Sequence, residues 1–314
     1  MAPRHTPSVA PISPTTAILL IALYALLYFL PFYLSPKTRP SPTLSRDAPS
    51  VISARIRSVL TSCFLACLTT ALLLTHFNLS ASEILHLMGL YPLALTSTLK
   101  ALFLTTLLFL GPLFEALIVD SGWREILRLD AWSELWSDPL TNRNLVAGPL
   151  TEEVLFRTAS IPLMLLSGAG IRTTVFFSPV IFGLAHFHHF YEFRLSYPRV
   201  PILAALLRSV FQLGFTTVFG AYATFVYVRT GSLLAVCVVH AFCNAMGLPR
   251  LWGKVQRTGD HDMRRGGEDE TWVVWTVAYY VLLVGGAAAF WKSIWVLTES
   301  ENALVPALVF GRHI

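Results

Sequence analysis

Residues 144–166 read NLVAGPLTEEVLFRTASIPLMLL, a stretch long enough to cross a lipid bilayer that nevertheless carries Glu152, Glu153 and Arg157 near its middle. A helix crosses a hydrocarbon core of about 30 Å with roughly 20 mostly apolar residues. An ionisable side chain at that depth costs several kcal/mol unless it is paired or has a task. The four-residue spacing stacks Glu153 on Arg157 as an ion pair. Glu152 points about 100° away from that contact and is left without the arginine. A carboxylate that is dry and unpaired is a candidate general base. The structural alternative is that both glutamates only hold helices together.

Seven further apolar runs surround this one, at 16–34, 56–77, 98–119, 170–187, 202–228, 232–247 and 272–297. Apolar residues make up 54% of the chain and charged residues 13%, a balance foreign to soluble domains. The fold class expected is an all-α polytopic membrane protein of about eight transmembrane helices. It divides into an irregular tail (1–15), a single transmembrane catalytic domain (16–297, motif core about 145–250) and a C-terminal tail (298–314). The first run lacks a basic flank and a small-residue cleavage site, so it reads as a retained helix. Cys63, Cys67, Cys237 and Cys243 all lie in apolar runs and form neither a disulfide framework nor a zinc pattern.

Two other runs carry polar groups. The fifth ends in Phe182-Gly-Leu-Ala-His186, followed by His188 and His189, which read as loop residues. The seventh carries His240 and Asn244 four apart, hence on one helix face, where polar packing between helices is the alternative to a binding site.

Basic residues crowd alternate loops. One set holds Lys37, Arg39, Arg46, Arg55, Arg57, Arg124, Arg128, Arg143, Arg194, Arg199, Arg250, Lys254, Arg257, Arg264 and Arg265, and the other only Arg4, Arg172, Arg229 and Arg312. Lys and Arg mark cytosolic loops, so the richer set is cytosolic and both termini are lumenal or external. The net positive charge therefore reports topology and anionic lipid, not nucleic acid. The polar stretch 123–132, bracketed by Trp123 and Trp132, reads as either an interfacial amphipathic helix or a plain loop. At 1.5 Å per residue, Glu152 lies roughly 10 to 12 Å below the cytosolic start of its helix. His186, His240 and Asn244 fall in the cytosolic halves of helices running the other way. The four share one layer, which predicts an intramembrane cavity open to the cytosol.

At these residues the sequence resembles the type II CaaX prenyl endopeptidases, the Ras and a-factor converting enzyme family, in its eukaryotic branch. Three signatures occur in the family's order: Glu-Glu-x-x-x-Arg at Glu152, Glu153 and Arg157, Phe-x-x-x-His at Phe182 and His186, and His-x-x-x-Asn at His240 and Asn244. The similarity is recognisable over about residues 110–250. It implies a multi-pass enzyme of the endoplasmic reticulum that removes the aaX tripeptide from farnesylated or geranylgeranylated CaaX proteins such as Ras-like GTPases. It also implies that Glu152 and His186 activate water, and that His240 and Asn244 steady the oxyanion.

Amide hydrolysis needs a base for water, donors for the oxyanion and an acid for the leaving amine, and these side chains can supply all three. No Gly-x-Ser-x-Gly elbow is present, and Cys243 lies off the His240 and Asn244 face. No cofactor is expected. A zinc-dependent intramembrane protease using Glu152, His186 and His240 is an alternative, as is a non-enzymatic membrane scaffold that binds prenylated tails. Glu153 and Arg157 are assigned structural support, and no residue is singled out for substrate binding.

The loop charges generate a test. Epitope tags inserted near Lys37 or Lys254 should be accessible to protease outside sealed microsomes, and a C-terminal tag should be protected. Removal of the C-terminal tag from outside would reverse the orientation.

Overall fold

In the computed structural model, which describes residues 10–311 apart from 42, 127–129 and 258–270, the chain is helical and no strand occurs among the described residues. Four helices are long and apolar enough to span a membrane: α1 (Pro14–Leu34), α2 (Pro49–His76), α8 (Ile202–Thr230) and α10 (Trp272–Leu297). A fifth span is formed if α3 (Leu95–Leu108) and α4 (Leu110–Val119), bent by 82° at Phe109, count as one. The remaining apolar runs are helical but interrupted or short. Residues 139–166 form α5, 171–185 form α6, and α9 covers Leu233–Met246.

Prolines account for the interruptions. The ladder of α5 widens to i→i+5 hydrogen bonding at Arg143–Ala147 and Val154–Ala159, and that of α6 at Thr173–Phe177. Each wide segment is followed two or three residues later by a proline: Pro149, Pro162 and Pro179. A proline lacks the N–H that would reach the carbonyl four residues back, and its ring crowds that carbonyl, so the ladder locally re-registers. Such π-type turns recur at functional sites. Here two of them flank Gly148–Glu153, the segment that presents both glutamates.

α5 is the centre of the molecule. Its Leu155, Phe156 and Leu163 pack with Ile21 and Tyr24 of α1, Cys63 and Ala66 of α2, and Phe182 of α6. Its Ile161 belongs to the second core, with Val226 and Tyr227 of α8 and Val236 and Val239 of α9. Three hydroxyl groups buried in this apolar setting find partners on neighbouring helices. Tyr24 Oη meets Thr70 Oγ1 at 3.0 Å, Thr70 donates to Ala159 O at 2.8 Å, and Tyr28 Oη meets Thr151 Oγ1 at 3.0 Å. Together these bonds pin α1 and α2 against the functional face of α5. On the outside, large apolar residues such as Leu19, Leu72, Leu99, Phe211, Val218 and Val284 are exposed, a girdle that lipid would cover.

Several expectations shift in register. α2 begins at Pro49 and α5 at Pro139, so Arg55, Arg57 and Arg143 sit within helices, not in loops. His188 and His189 open a further helix, α7 (His188–Ser196), and are not loop residues. Between Trp123 and Trp132 the chain forms helical Trp123–Ile126 and the start of Asp130–Ser137, with 127–129 outside the described residues.

Candidate active site

Glu153 is fully buried, and three groups meet it. Arg157 Nη1 donates to Oε1 at 3.2 Å, Arg157 Nε lies 3.1 Å from Oε2, and His240 Nδ1 donates to Oε1 at 2.6 Å. Arg157 is itself 1% exposed, donates from Nη2 to Gly220 O at 3.1 Å, and lies over the Phe182 ring. The close approach of α8 depends on Gly220 having no side chain, because a Cβ there would sit 2.9 Å from Pro179 Cβ. The expected ion pair is thus present, and it has a partner that spacing did not reveal: the carboxylate also orients the imidazole of α9.

Glu152, one residue earlier, faces a cavity with its side chain 21% exposed. Its Oε2 lies 3.8 Å from His186 Nε2 and 3.8 Å from His240 Nε2. Neither separation is a hydrogen bond, and both suit a single bridging water. Backbone and carboxylate acceptors fix both rings. His186 Nδ1 donates to Phe182 O at 2.8 Å, as His240 Nδ1 does to Glu153, which leaves both Nε2 atoms directed at the space in front of Glu152. Three acceptor atoms converging on one gap call for an occupant that brings protons, as water does.

Asn244 also lines this cavity, but it is exposed, and its Nδ2 donates to Asn144 O at 2.9 Å. The geometry therefore brings Glu152, His186 and His240 together and sets Asn244 at the rim, with one amide N–H committed to α5 and the other available. The cavity has walls that no motif announced. Tyr28 and Phe32 of α1, and Ile52, Ile56 and Val59 of α2, form an apolar side.

Arg46, Arg55 and His189 of the lining are held by Glu192 of α7, which lies behind them and beyond the apolar run ending at 187. Glu192 is buried, receives Arg55 Nη1 at 2.7 Å and Arg46 Nη1 at 3.1 Å, and has His189 Nδ1 at 3.0 Å. Burial would raise its carboxyl, but the hydrogen bond from His189 and the Arg55 charge outweigh that and hold it well below the carboxylate range. Burial pushes His188 down to about 4 and His189 to about 3, so both rings are neutral near pH 7. Sequence reading overlooked Glu192, although it is the only carboxylate between Glu153 and Asp260.

Metal ligation is a geometric question. Among the described residues, the only His, Cys, Asp or Glu trio whose ligand atoms lie within 4.8 Å of one another is His188, His189 and Glu192. Two guanidiniums already neutralise that trio, and a cation there would face their repulsion. The ligand atoms of Glu152, His186 and His240 do not all lie within 4.8 Å of one another.

Residues 135–246 match the family model described as type II CAAX prenyl endopeptidase Rce1-like. The chain is 35% identical over 279 residues to the probable CAAX prenyl protease 2 of Schizosaccharomyces pombe, covering 89% of this chain and 92% of that protein. It is 36% identical over 233 residues to human CAAX prenyl protease 2 (71% and 68% covered) and 35% over 265 residues to the Arabidopsis thaliana protein of that name (77% and 82%). No solved structure matches the chain. The chain belongs to the CAAX prenyl protease 2 family, and is accordingly a peptide-bond hydrolase built on membrane-spanning helices.

The double duty of Glu153 is testable. Glu153→Gln should lower both the melting temperature and kcat, because it leaves Arg157 uncompensated and releases the His240 ring. Arg157→Ala should cost stability of about 3–5 kcal/mol, the usual cost of leaving one partner of a buried pair alone. Thermal unfolding in detergent, run beside turnover, separates the two effects. An unchanged kcat in folded Glu153→Gln would remove the orienting role.

Proposed function

We propose that this chain removes the aaX tripeptide from farnesylated or geranylgeranylated CaaX proteins, Ras-like GTPases among them, at the cytosolic side of the endoplasmic reticulum membrane. It does so with water activated by Glu152 and His186. The observation that carries this reading is the position of Glu152 Oε2, 3.8 Å from each of two imidazole Nε2 atoms, at the floor of a cavity with one apolar wall. In this reading the eight apolar runs each cross the membrane, the shorter helices α6 and α9 and the interrupted α5 enclosing the reaction chamber.

The isoprenoid lies along Phe32, Ile52, Ile56 and Val59, where its contact with apolar side chains matches its contact with lipid. The scissile carbonyl then stands over the gap between Glu152 and the two histidines. Glu152 takes a proton from water as the oxygen attacks the carbonyl carbon. The developing oxyanion is met by the free N–H of Asn244 and by His240, which donates from Nε2 when it carries both protons and has Glu153 as countercharge. The proton held by Glu152 passes to the departing amine, with His186 holding the water line between them. Prenylcysteine becomes the new C-terminus, and aaX leaves as a free tripeptide. Atoms balance with one water consumed, and no covalent intermediate forms.

Purified protein should cleave a farnesylated CaaX peptide, and Glu152→Gln should lower kcat by roughly 10²–10⁴-fold, the range of a lost general base, while melting changes little. Retention of most activity by Glu152→Gln would remove the base assignment. A non-enzymatic scaffold would bind the peptide and release no tripeptide.

The zinc alternative is separated by a second measurement. Activity should survive prolonged dialysis against a strong chelator, and elemental analysis of active enzyme should give far less than one zinc per chain. Stoichiometric zinc whose removal and return switched activity off and on would replace the metal-free mechanism.

A further inference from the structure

The cavity opens past three guanidiniums, Arg46, Arg55 and Arg143, and the hydrolytic steps above use none of them. They differ in how much of each is already spent. Arg55 is closed: Nε and Nη2 both donate to Thr38 O, Nη1 is on Glu192, and the group lies over Phe32 with its side chain 11% exposed. It clamps α2 to α7. Arg46 and Arg143 are more open, with side chains 39% and 22% exposed. Arg46 uses Nη1 on Glu192 and has Nε 3.5 Å from Asp47 Oδ1. Arg143 uses Nη1 on Asp47 Oδ1 and Nε on Asn144 Oδ1. Nη2 of each has no partner among the described residues.

Charge bookkeeping around the mouth leaves a surplus. At the mouth three arginines face two carboxylates, Asp47 and Glu192, and the third carboxylate of the cavity, Glu152, stands deeper, at the hydrolytic gap. Burial acts to raise Asp47, but Arg143 and Arg46 together hold it below its ordinary value. The two histidines between the arginines and Glu152 are neutral, so they neither cancel the surplus nor add to it. A mouth that carries one more guanidinium than carboxylates, its balancing Glu152 lying deeper, and that presents two Nη2 groups without a protein acceptor offers charge-assisted donors to an anion.

Two contacts bound how far the guanidinium stands from the catalytic ring. The His189 ring centre lies 5.9 Å from that of His186, and Arg46 Nη1 lies 3.2 Å from His189 Nδ1. The guanidinium is thus one imidazole beyond the catalytic ring. Three residues in extended conformation span about 10 Å. A substrate cut three residues before its end carries a free α-carboxylate at that remove from the scissile bond. We propose that Arg46, assisted by Arg143, binds the C-terminal α-carboxylate of the substrate, and that this anchor sets the cut three residues from the end. The inference rests on the endopeptidase reading. It adds what that reading lacks, a group that counts residues from the terminus. Guanidinium suits the role because each arginine can keep its protein contacts through Nη1 and Nε and still donate from Nη2, so that the pair can hold one carboxylate.

The test compares two farnesylated CaaX peptides of one sequence, one ending in a free carboxylate and the other in a carboxamide, with the purified full-length chain. The wild-type chain should show a KM at least about tenfold higher for the amide, the scale of one lost charge-assisted contact. Arg46→Gln should raise KM for the acid to near the amide value and leave the amide unchanged. Arg46→Lys should fall between. Melting temperatures report folding, and Arg143→Gln provides the same comparison, with a smaller shift, if Arg46→Gln does not fold. Equal cleavage of acid and amide by the wild-type chain would overturn the anchor and leave the endopeptidase standing. An equal loss on both peptides in Arg46→Gln would likewise overturn it, assigning the guanidinium to another anion such as a lipid phosphate. Cleavage of neither peptide by the wild-type chain would overturn the endopeptidase itself, and the anchor with it.

Discussion

A carboxylate with no access to water, Glu153, is the constraint around which the rest of the molecule is arranged. Such a group is tolerated only when charge and hydrogen bonds surround it, and here they come from three directions. Arg157 comes from its own helix, His240 from α9, and the Gly220 carbonyl of α8 holds the arginine in place. Phe182 of α6 supplies the ring beneath the guanidinium. Four helices are therefore committed to one position relative to one another by a single buried charge. A buried ion pair adds little net stability over an apolar replacement, so its worth lies in geometry: it decides where Nε2 of His240 points.

The neighbouring residue inherits that geometry. Consecutive helical positions diverge by about 100°, so fixing Glu153 toward the interior directs Glu152 toward the cavity. The two wide turns around Gly148–Glu153 keep this segment from being an ordinary stretch of helix, and the prolines that produce them are part of the chain's own sequence. Two chemically identical side chains thus divide their work by environment alone. One is saturated with partners and holds a ring; the other has none within hydrogen-bonding distance of the two imidazoles and faces the substrate space.

Much of this was legible in the sequence because helices convert spacing into direction. The four-residue interval of Glu153 and Arg157, and the apolar setting of Glu152, His186 and His240, needed no tertiary information. Contacts between distant segments were not legible. Arg46 and Arg55 read as topology markers, and only the tertiary fold brings them, from just before α2 and from within it, to Glu192 of α7. The pairing of Glu153 with His240 joins residues far apart in the chain, and no periodicity reports it. The apolar wall from α1 and α2 was equally silent, since an inward leucine or isoleucine in a membrane helix looks like an outward one. Helix boundaries also moved: basic residues that count as loop when hydropathy is the only guide sit within the N-terminal parts of α2 and α5, where long side chains reach the polar boundary.

The division of the cavity into an apolar wall and a basic rim follows from the substrate's own contradiction. A prenylated tail is apolar at one end and ionic at the other, and hydrolysis must occur between them with water present but not in bulk. A wholly apolar chamber would exclude the water and the terminal charge, while a wholly polar one would be unstable among lipids. Phe32 of α1 and Ile52, Ile56 and Val59 of α2 line the cavity alongside Arg46, Arg55 and Arg143, so its walls meet both demands. Glu152 lines the same cavity from α5, in the segment between the two wide turns. That position leaves Glu152 partly exposed while its twin, one residue away, is buried.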